Sequence, residues 1–155
     1  MYGRATVLPT PETYGPLLPI SLYGSAKLAG EGLISSFSYL YGINYYIYRF
    51  ANVVGKRQTH GVIIDFINKL KANPEELEVL GDGTQKKAYI DVMDCVEAML
   101  FVFQHSTSRA NLYNISTDEQ TSVAEIARKV IEKTGTNARI RYTMAKEGWP
   151  GDVTN

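Results

Sequence analysis

Pro19-Ile20-Ser21-Leu22-Tyr23-Gly24-Ser25-Ala26-Lys27-Leu28-Ala29 places a tyrosine four residues ahead of a lysine at the start of a predicted helix. At that spacing the two side chains leave one helix face, about one turn apart. A phenol with the reference pKa of about 10 is almost fully protonated at neutral pH. A fixed ammonium beside it favours the phenolate and so brings the group toward acid–base work. Taken alone, the pair is better described as part of an amphipathic helix with a half-buried Tyr23 and a solvated Lys27. The chain has 11 tyrosines, so a chance match is easy. The surroundings change that balance. Pro19 and Ser21 supply an entry turn and an N-cap, and Gly24 and Ser25 leave room for a large group to approach between the two side chains.

Outward from this segment, the helix is predicted from Leu22 to Tyr41, with Gly42 as its stop. Its apolar positions are Tyr23, Ala26, Leu33, Phe37 and Leu40. Gly24, Gly30 and Gly32 each cost it about 1 kcal/mol relative to Ala, which points to close approach by a ligand or a second helix. Residues 1 to 20, with four of the 6 prolines, read as extended loop. Ile43 to Phe50 is a β-branched and aromatic run, hence a strand. An amphipathic helix follows over 61 to 71, with Val62, Phe66, Ile67 and Leu70 inward. Leu77 to Leu80 is a strand ahead of Gly81-Asp82-Gly83, read as a hairpin turn, and Lys87 to Val92 is another. Asp94 is predicted to cap a helix running to His105. Leu112 to Ile115 is a strand, Ser122 opens a helix to Lys133 with Glu125 at the capping-box position, and Arg139 to Thr143 is the last strand. Alternation of strands and helices implies an α/β architecture.

Composition narrows the function classes. The chain has 155 residues, the size of one ordinary domain. Its 16 basic and 16 acidic residues balance, which disfavours nucleic acid or a membrane surface as partner, since both need a basic excess. One cysteine, Cys95, permits no intrachain disulfide, suits a reducing cytoplasm and is assigned to the core. No apolar run reaches membrane-spanning length, and Met1 leads into a Pro/Gly-rich polar loop without signal-peptide character. Two histidines, His60 and His105, and one cysteine make no zinc-like cluster, so no metal is expected. No Gly-x-Ser-x-Gly elbow is present. His60 is read as solvent-facing.

The run Pro19-x-Ser21-x-Tyr23-Gly24-Ser25-Ala26-Lys27-Leu28 resembles the active-site helix of the extended short-chain dehydrogenase/reductases, in their NAD-dependent nucleotide-sugar epimerase/dehydratase branch. The resemblance continues through Met1-Tyr2-Gly3, Leu8-Pro9-Thr10-Pro11-Glu12, Tyr48-Arg49-Phe50-Ala51-Asn52-Val53-Val54-Gly55, Thr59-His60-Gly61-Val62-Ile63, Leu80-Gly81-Asp82-Gly83-Thr84-Gln85 and Tyr89-Ile90-Asp91-Val92-Met93-Asp94. Such a protein should open with a strand, a Gly-x-x-Gly-x-x-Gly turn and a helix that holds the cofactor pyrophosphate. That turn is missing from this sequence. The implied fold is therefore the C-terminal half of a Rossmann-like, doubly wound parallel sheet plus a small substrate-binding α/β subdomain. Residues 1–60 would complete the dinucleotide-binding fold. Residues 61–155 would be mostly the nucleotide-sugar subdomain, interleaved with the last strand–helix elements of the sheet. Family members continue past the Gly151-Asp152-Val153 region, where this chain stops.

The activity implied by the resemblance is epimerisation at C4 of a UDP-hexose of the UDP-glucose/UDP-galactose type, with NAD as cofactor. Tyr23 would take the proton of the 4-hydroxyl while hydride leaves C4. Lys27 would bind the nicotinamide ribose and stabilise the phenolate, with Phe50 also on the cofactor side. The family's third group, a Ser or Thr on the same hydroxyl, falls just ahead of Met1. Asn52 would contact the phosphates, Gly61 and Val62 would lie under the uridine, and Glu78, Val79 and Leu80 would read the uracil edge through their backbone. Lys87 stands where many members have Arg, keeping the charge but losing bidentate geometry. Lys146, ahead of Gly148 and Trp149, matches a basic phosphate contact. Ala88 replaces a common Asp, and Asp91 stands where many members have His.

Two further readings stay open. One is a related nucleotide-sugar dehydratase or reductase. The other is a noncatalytic module that binds a UDP-sugar or a partner polypeptide, since the glycine-rich turn and the Ser/Thr are missing. A parallel sheet cut in its middle leaves an apolar strand edge, so a homodimer or association with a separate N-terminal half is expected. The helix segment Leu28 to Phe37 would contribute to the dimer contact.

Overall fold

The structure is a computed structural model that describes residues 1–143; the contact expected at Lys146, with Gly148, Trp149 and Gly151-Asp152-Val153, lies outside the described residues. The elements in chain order are α1 (Leu22–Tyr41), β1 (Tyr45–Phe50), β2 (Asn52–Val54), α2 (Val62–Ala72), β3 (Glu76–Val79), β4 (Lys86–Asp91), α3 (Val92–His105), β5 (Ala110–Ile115), β6 (Gln120–Ser122), α4 (Val123–Thr134) and β7 (Arg139–Tyr142). They divide into two compact units. Among the described residues the first holds Met1–Val53 and Ile90–Ser116, the second Val54–Tyr89 and 117–143.

In the first unit, β1 and β5 pair in parallel, with Tyr45 opposite Ala110 and Phe50 opposite Ile115. Ile90, Cys95 and Ile115 form its buried cluster, with Tyr48, Val53, Ala98 and Met99 packed around them. Cys95 is thus a core residue, and burial pushes its thiol pKa up. Helix α1 begins and ends where its caps dictate. The Ser21 hydroxyl accepts the Gly24 N–H at 3.0 Å, and Gly42, at φ +71°, donates its N–H to the Ser38 carbonyl.

The packing face of α1 differs from the expected stripe. Tyr23, Ala26, Leu33, Phe37 and Leu40 are all exposed, and the buried residues are Gly24 and Ser38. Polar ties hold the helix instead: Ser38 donates its hydroxyl to the Ile43 carbonyl at 2.7 Å, Arg109 donates to the Ser38 carbonyl, and Glu31 pairs with Arg49. Of the three helix glycines only Gly24 meets a close neighbour. A Cβ there would sit 3.0 Å from the Met1 nitrogen and 3.2 Å from the Pro19 side chain, whereas nothing lies within 4 Å of Gly30 or Gly32. The close approach is therefore made by the chain's own N-terminal loop.

Helix α3 starts earlier than expected. Asp91, not Asp94, is the N-cap, accepting the Met93 N–H at 2.8 Å. Val92 is the first helical residue rather than the end of a strand, and Asp94 falls in the first turn, where a carboxylate suits the helix dipole.

The second unit packs α2 and α4 over the parallel pair β3–β7, in which Glu76 faces Arg139 and Val79 faces Tyr142. Leu77 and Val79 are fully buried, among Phe66, Leu70, Ile126, Ala127 and Val130. The capping box at Ser122 and Glu125 forms as its sequence specifies: Ser122 accepts the Glu125 N–H at 3.2 Å, and the Glu125 carboxylate accepts the Ser122 N–H at 2.7 Å. Gly81-Asp82-Gly83 is not a hairpin turn. Strand β3 pairs with β7, whereas β4 pairs antiparallel with β6, Lys86 opposite Ser122. The turn instead feeds α4, because the Gly83 and Gln85 carbonyls accept the Ala124 and Val123 N–H groups, each at 3.0 Å. Those two donors begin a helix and need outside acceptors. Among the described residues no helix is long and apolar enough to cross a membrane.

Leu77→Ala should destabilise the chain by roughly 2–5 kcal/mol through the cavity it leaves, read as a lower midpoint in urea unfolding. Arg139 and Arg141 hydrogen-bond to Glu76 and lower its pKa. Its stabilising contribution is thus present above the ordinary carboxylate value and is lost as pH falls through the lowered folded-state value. Glu76→Gln should flatten that acid limb of a stability–pH curve while leaving the neutral limb parallel to wild type.

Candidate active site

Tyr23 and Lys27 occupy the first two turns of α1, and the structure brings them together. The Lys27 ammonium lies 5.3 Å from the centre of the Tyr23 ring, within cation–π range, and Tyr23 is 73% exposed. The direction of the helix places this pair. Ser38, near its C-terminus, is tied to Arg109 just before β5, while Glu31, earlier in the helix, is tied to Arg49 near the end of β1. Helix α1 therefore runs antiparallel to β1, and its first turns lie toward the carboxyl end of the parallel pair. That end is where open α/β sheets place their ligands.

Phe50 and Asn52 stand at the same end of β1. Phe50 is exposed and terminates an aromatic ladder: it stacks on Tyr48 at 6.3 Å, and Tyr48 stacks on Tyr46 at 6.5 Å. Burial pushes the Tyr48 phenol up, and its hydroxyl donates to the Met99 carbonyl at 3.0 Å. Asn52 opens β2 and is exposed.

The other predicted site residues belong to the second unit. Gly61, at φ +103°, is the N-cap of α2, and Val62 is its first helical residue. Glu78 and Val79 close β3, and Leu80 follows it, 46% exposed. The Val79 side chain is wholly in the core and its carbonyl accepts the Thr143 N–H at 3.0 Å, while the Glu78 carbonyl accepts from Lys69 at 3.2 Å. Of this trio, Leu80 is exposed, Glu78 is half-buried and paired with Arg141, and Val79 is buried. Lys87 is half-buried in β4, opposite Thr121. His60 is exposed beside Thr59.

The sequence reading missed a polar cluster in the first unit that ties the N-terminal loop to the sheet and to α1. Arg49 forms a bidentate pair with Glu31, Nε to Oε1 at 2.9 Å and Nη2 to Oε2 at 2.7 Å, with both side chains nearly buried at 9% and 12% exposure. Its Nη1 donates to the Tyr2 hydroxyl at 2.7 Å, and that hydroxyl donates to the Asn114 side-chain oxygen at 2.7 Å. The guanidinium also lies 4.7 Å from the Tyr2 ring centre. Asn114 donates to the Thr10 carbonyl at 2.9 Å, and its N–H donates to the Glu12 carboxylate at 2.7 Å. The hydrogen bond to Glu31 raises the Arg49 pKa, so its charge is permanent. Two signals could have found it: a charged residue inside the aromatic run Tyr45–Phe50, and a glutamate continuing the Tyr23, Lys27 spacing by four more residues. A groove of about 620 Å³ in this unit, lined by Asp94, Glu97, Phe101, Tyr113, Asn114 and Ser116 among others, contains none of the predicted site residues.

The profile of the "NAD dependent epimerase/dehydratase family" matches residues 1–116. The chain belongs to this family. Its parallel strands and intervening helices match the Rossmann-like fold of solved epimerases. A crystal structure of UDP-galactose 4-epimerase superposes with a TM-score of 0.85 at 41% identity, covering 99% of this chain and 48% of that one. The UDP-glucuronic acid 4-epimerase of Bacillus cereus, solved with UDP-glucuronic acid and NAD, gives 0.79 at 26% identity, covering 98% and 48%. A putative UDP-glucose 4-epimerase of Methanocaldococcus jannaschii is 34% identical over 152 residues, 96% of this chain and 48% of that one. The chain thus spans about half the length of the epimerase relatives it matches.

Asn114→Ala removes the acceptor for Tyr2 and the donor to Thr10 in one step. Limited proteolysis should then cut within residues 1–20 several-fold faster than in wild type, with helix content by circular dichroism unchanged.

Proposed function

We propose that this chain carries the acid–base pair and the nucleotide-sugar contacts of an NAD-dependent 4-epimerase acting on a UDP-hexose of the UDP-glucose/UDP-galactose type. The observation that carries this reading is the position of Tyr23 and Lys27: adjacent, accessible, and at the carboxyl end of a parallel strand pair. The residues present suit one end of the cofactor. An accessible ammonium and phenol, with the exposed Phe50 at the carboxyl end of β1, fit the nicotinamide–ribose portion, and Lys27 would donate to the ribose hydroxyls. Bound there, NAD would supply the two-electron acceptor and donor that oxidation and re-reduction at C4 require. Tyr23 removes the proton of the 4-hydroxyl and later restores it. Lys27 keeps its ammonium 5.3 Å from the centre of the Tyr23 ring. A hexose that must turn over has to be anchored elsewhere; by resemblance to the family, Asn52 and Lys87 would serve the diphosphate, Gly61 and Val62 the uridine, and Glu78, Val79 and Leu80 the uracil side. In this reading residues 1–60 serve mainly the cofactor half and 61–155 mainly the sugar nucleotide.

The glycine-rich pyrophosphate turn has no counterpart in the 155 residues; the Gly83 carbonyl serves the start of α4, and Gly81 donates its N–H to the Thr143 hydroxyl. We propose that the chain works in association, as a homodimer or with a polypeptide that carries a glycine-rich N-terminal half. The exposed Leu33, Phe37 and Leu40 of α1 offer apolar surface for it. A reducing cytoplasm is the compartment that suits the lone buried Cys95. A second reading is a noncatalytic module that binds a UDP-sugar or a partner polypeptide.

Calorimetry should detect UDP-glucose or UDP-galactose binding to the chain. A coupled assay with NAD+ should show interconversion only after a glycine-rich N-terminal half is added. In that complemented enzyme Tyr23→Phe should lower kcat by about 10²–10⁴-fold with little change in KM. Interconversion by the chain alone, or an unaffected Tyr23→Phe enzyme, would contradict the proposal.

A further inference from the structure

We propose that Glu31 and Arg49 are positioning residues that fix the rotation of α1 about its own axis and thereby aim Tyr23 and Lys27. The proposal rests on the reading of those two side chains as the acid–base pair.

Tyr23, Lys27 and Glu31 follow one another at intervals of four residues, so they share one side of the helix, a turn apart. The first two are accessible and the third is nearly buried, gripped by the Arg49 fork through two oxygens. A bidentate guanidinium–carboxylate pair is planar and directional. It admits one azimuth of the helix, whereas apolar contact tolerates roll. On α1 apolar contact is scarce, because the expected stripe is exposed and only Gly24 and Ser38 are buried. The Ser38 ties act at the far end of the helix, so Glu31 is the side-chain anchor nearest the candidate pair. Arg49 is itself immobilised. Its Nη1 donates to the Tyr2 hydroxyl and the Glu12 carbonyl, the Tyr2 ring lies against the guanidinium, and Tyr2 is held by Asn114, the residue opposite Arg49 in the strand register. Rotation by one residue, about 100°, would move the pair to another side of the unit.

The test places 3-fluorotyrosine at position 23 of the full chain and follows its ¹⁹F resonance without substrate or cofactor. Wild type should give a single narrow line. Glu31→Gln and Arg49→Lys should each displace or split that line by more than its width, and the exchange Glu31→Arg with Arg49→Glu should restore it. Ser38→Ala, which loosens only the far end, should leave the line in place. If Glu31→Gln does not fold, Arg49→Lys decides, since it keeps the charge and removes only the fork. A folded Arg49→Lys chain with a lowered melting temperature and an unmoved resonance would show that the pair merely stabilises, and would overturn the proposal. The readout needs no turnover, so it stands apart from failure of the epimerase reading, which calorimetry and the coupled assay detect.

Discussion

The parallel register of β1 and β5 is the constraint on which the first unit depends. It sets Arg49 opposite Asn114, and the hydroxyl of Tyr2 bridges the two. Side chains alternate faces along a strand, so a slip of one residue would turn Arg49 from Glu31 toward the face that carries Tyr48 and Phe50. One register therefore satisfies three demands together: Ile47 and Ile115 reach buried positions, the aromatic ladder forms, and the charged fork meets its carboxylate. Leaving either partner of a nearly buried ion pair alone costs roughly 3–5 kcal/mol, which penalises the slipped alternatives.

The second unit is organised differently. Its core is apolar, built from Leu77, Val79, Phe66, Leu70 and the inner face of α4, and its polar groups serve mainly to start and stop elements. The capping box of α4 and the carbonyls of the Gly81–Gln85 turn satisfy the first N–H groups of that helix from two directions. On the outer side of β3 and β7, Glu76, Glu78, Arg139 and Arg141 alternate in sign across the pair, so like charges never face one another. Such exposed pairs contribute little individually, yet they favour the register that the buried Leu77 and Val79 require.

What the sequence revealed follows from how local each determinant is. The limits of α1 and the start of α4 were readable because Ser21, Gly42, Ser122 and Glu125 act on backbone groups a few residues away. The outcome at Asp91 and Asp94 shows the resolution of that logic: both can cap, and the choice depends on where β4 releases the chain. The hairpin reading of Gly81-Asp82-Gly83 failed because strand partners are chosen by the sheet, and β3 found β7 some sixty residues later. Three-residue strands such as β2 and β6 are too short for any periodicity to register. At the site, the Tyr23–Lys27 proximity follows from helix geometry alone, whereas the cluster around Arg49 joins residues 2, 31, 49 and 114, and no spacing rule spans that distance.

The exposure of α1 has a chemical consequence. A phenol working as a general base needs an environment from which bulk water is largely excluded, since charge–charge effects weaken steeply in water. Tyr23 at 73% exposure stands in solvent, with Lys27 beside its ring. The pair is preorganised in azimuth but not in dielectric. A surface that covers the first turns of α1 would supply the second condition without having to reorient the first. Aiming the groups through Glu31 and enclosing them through a separate surface divides the two requirements, so the side chains can be set before any ligand or partner arrives.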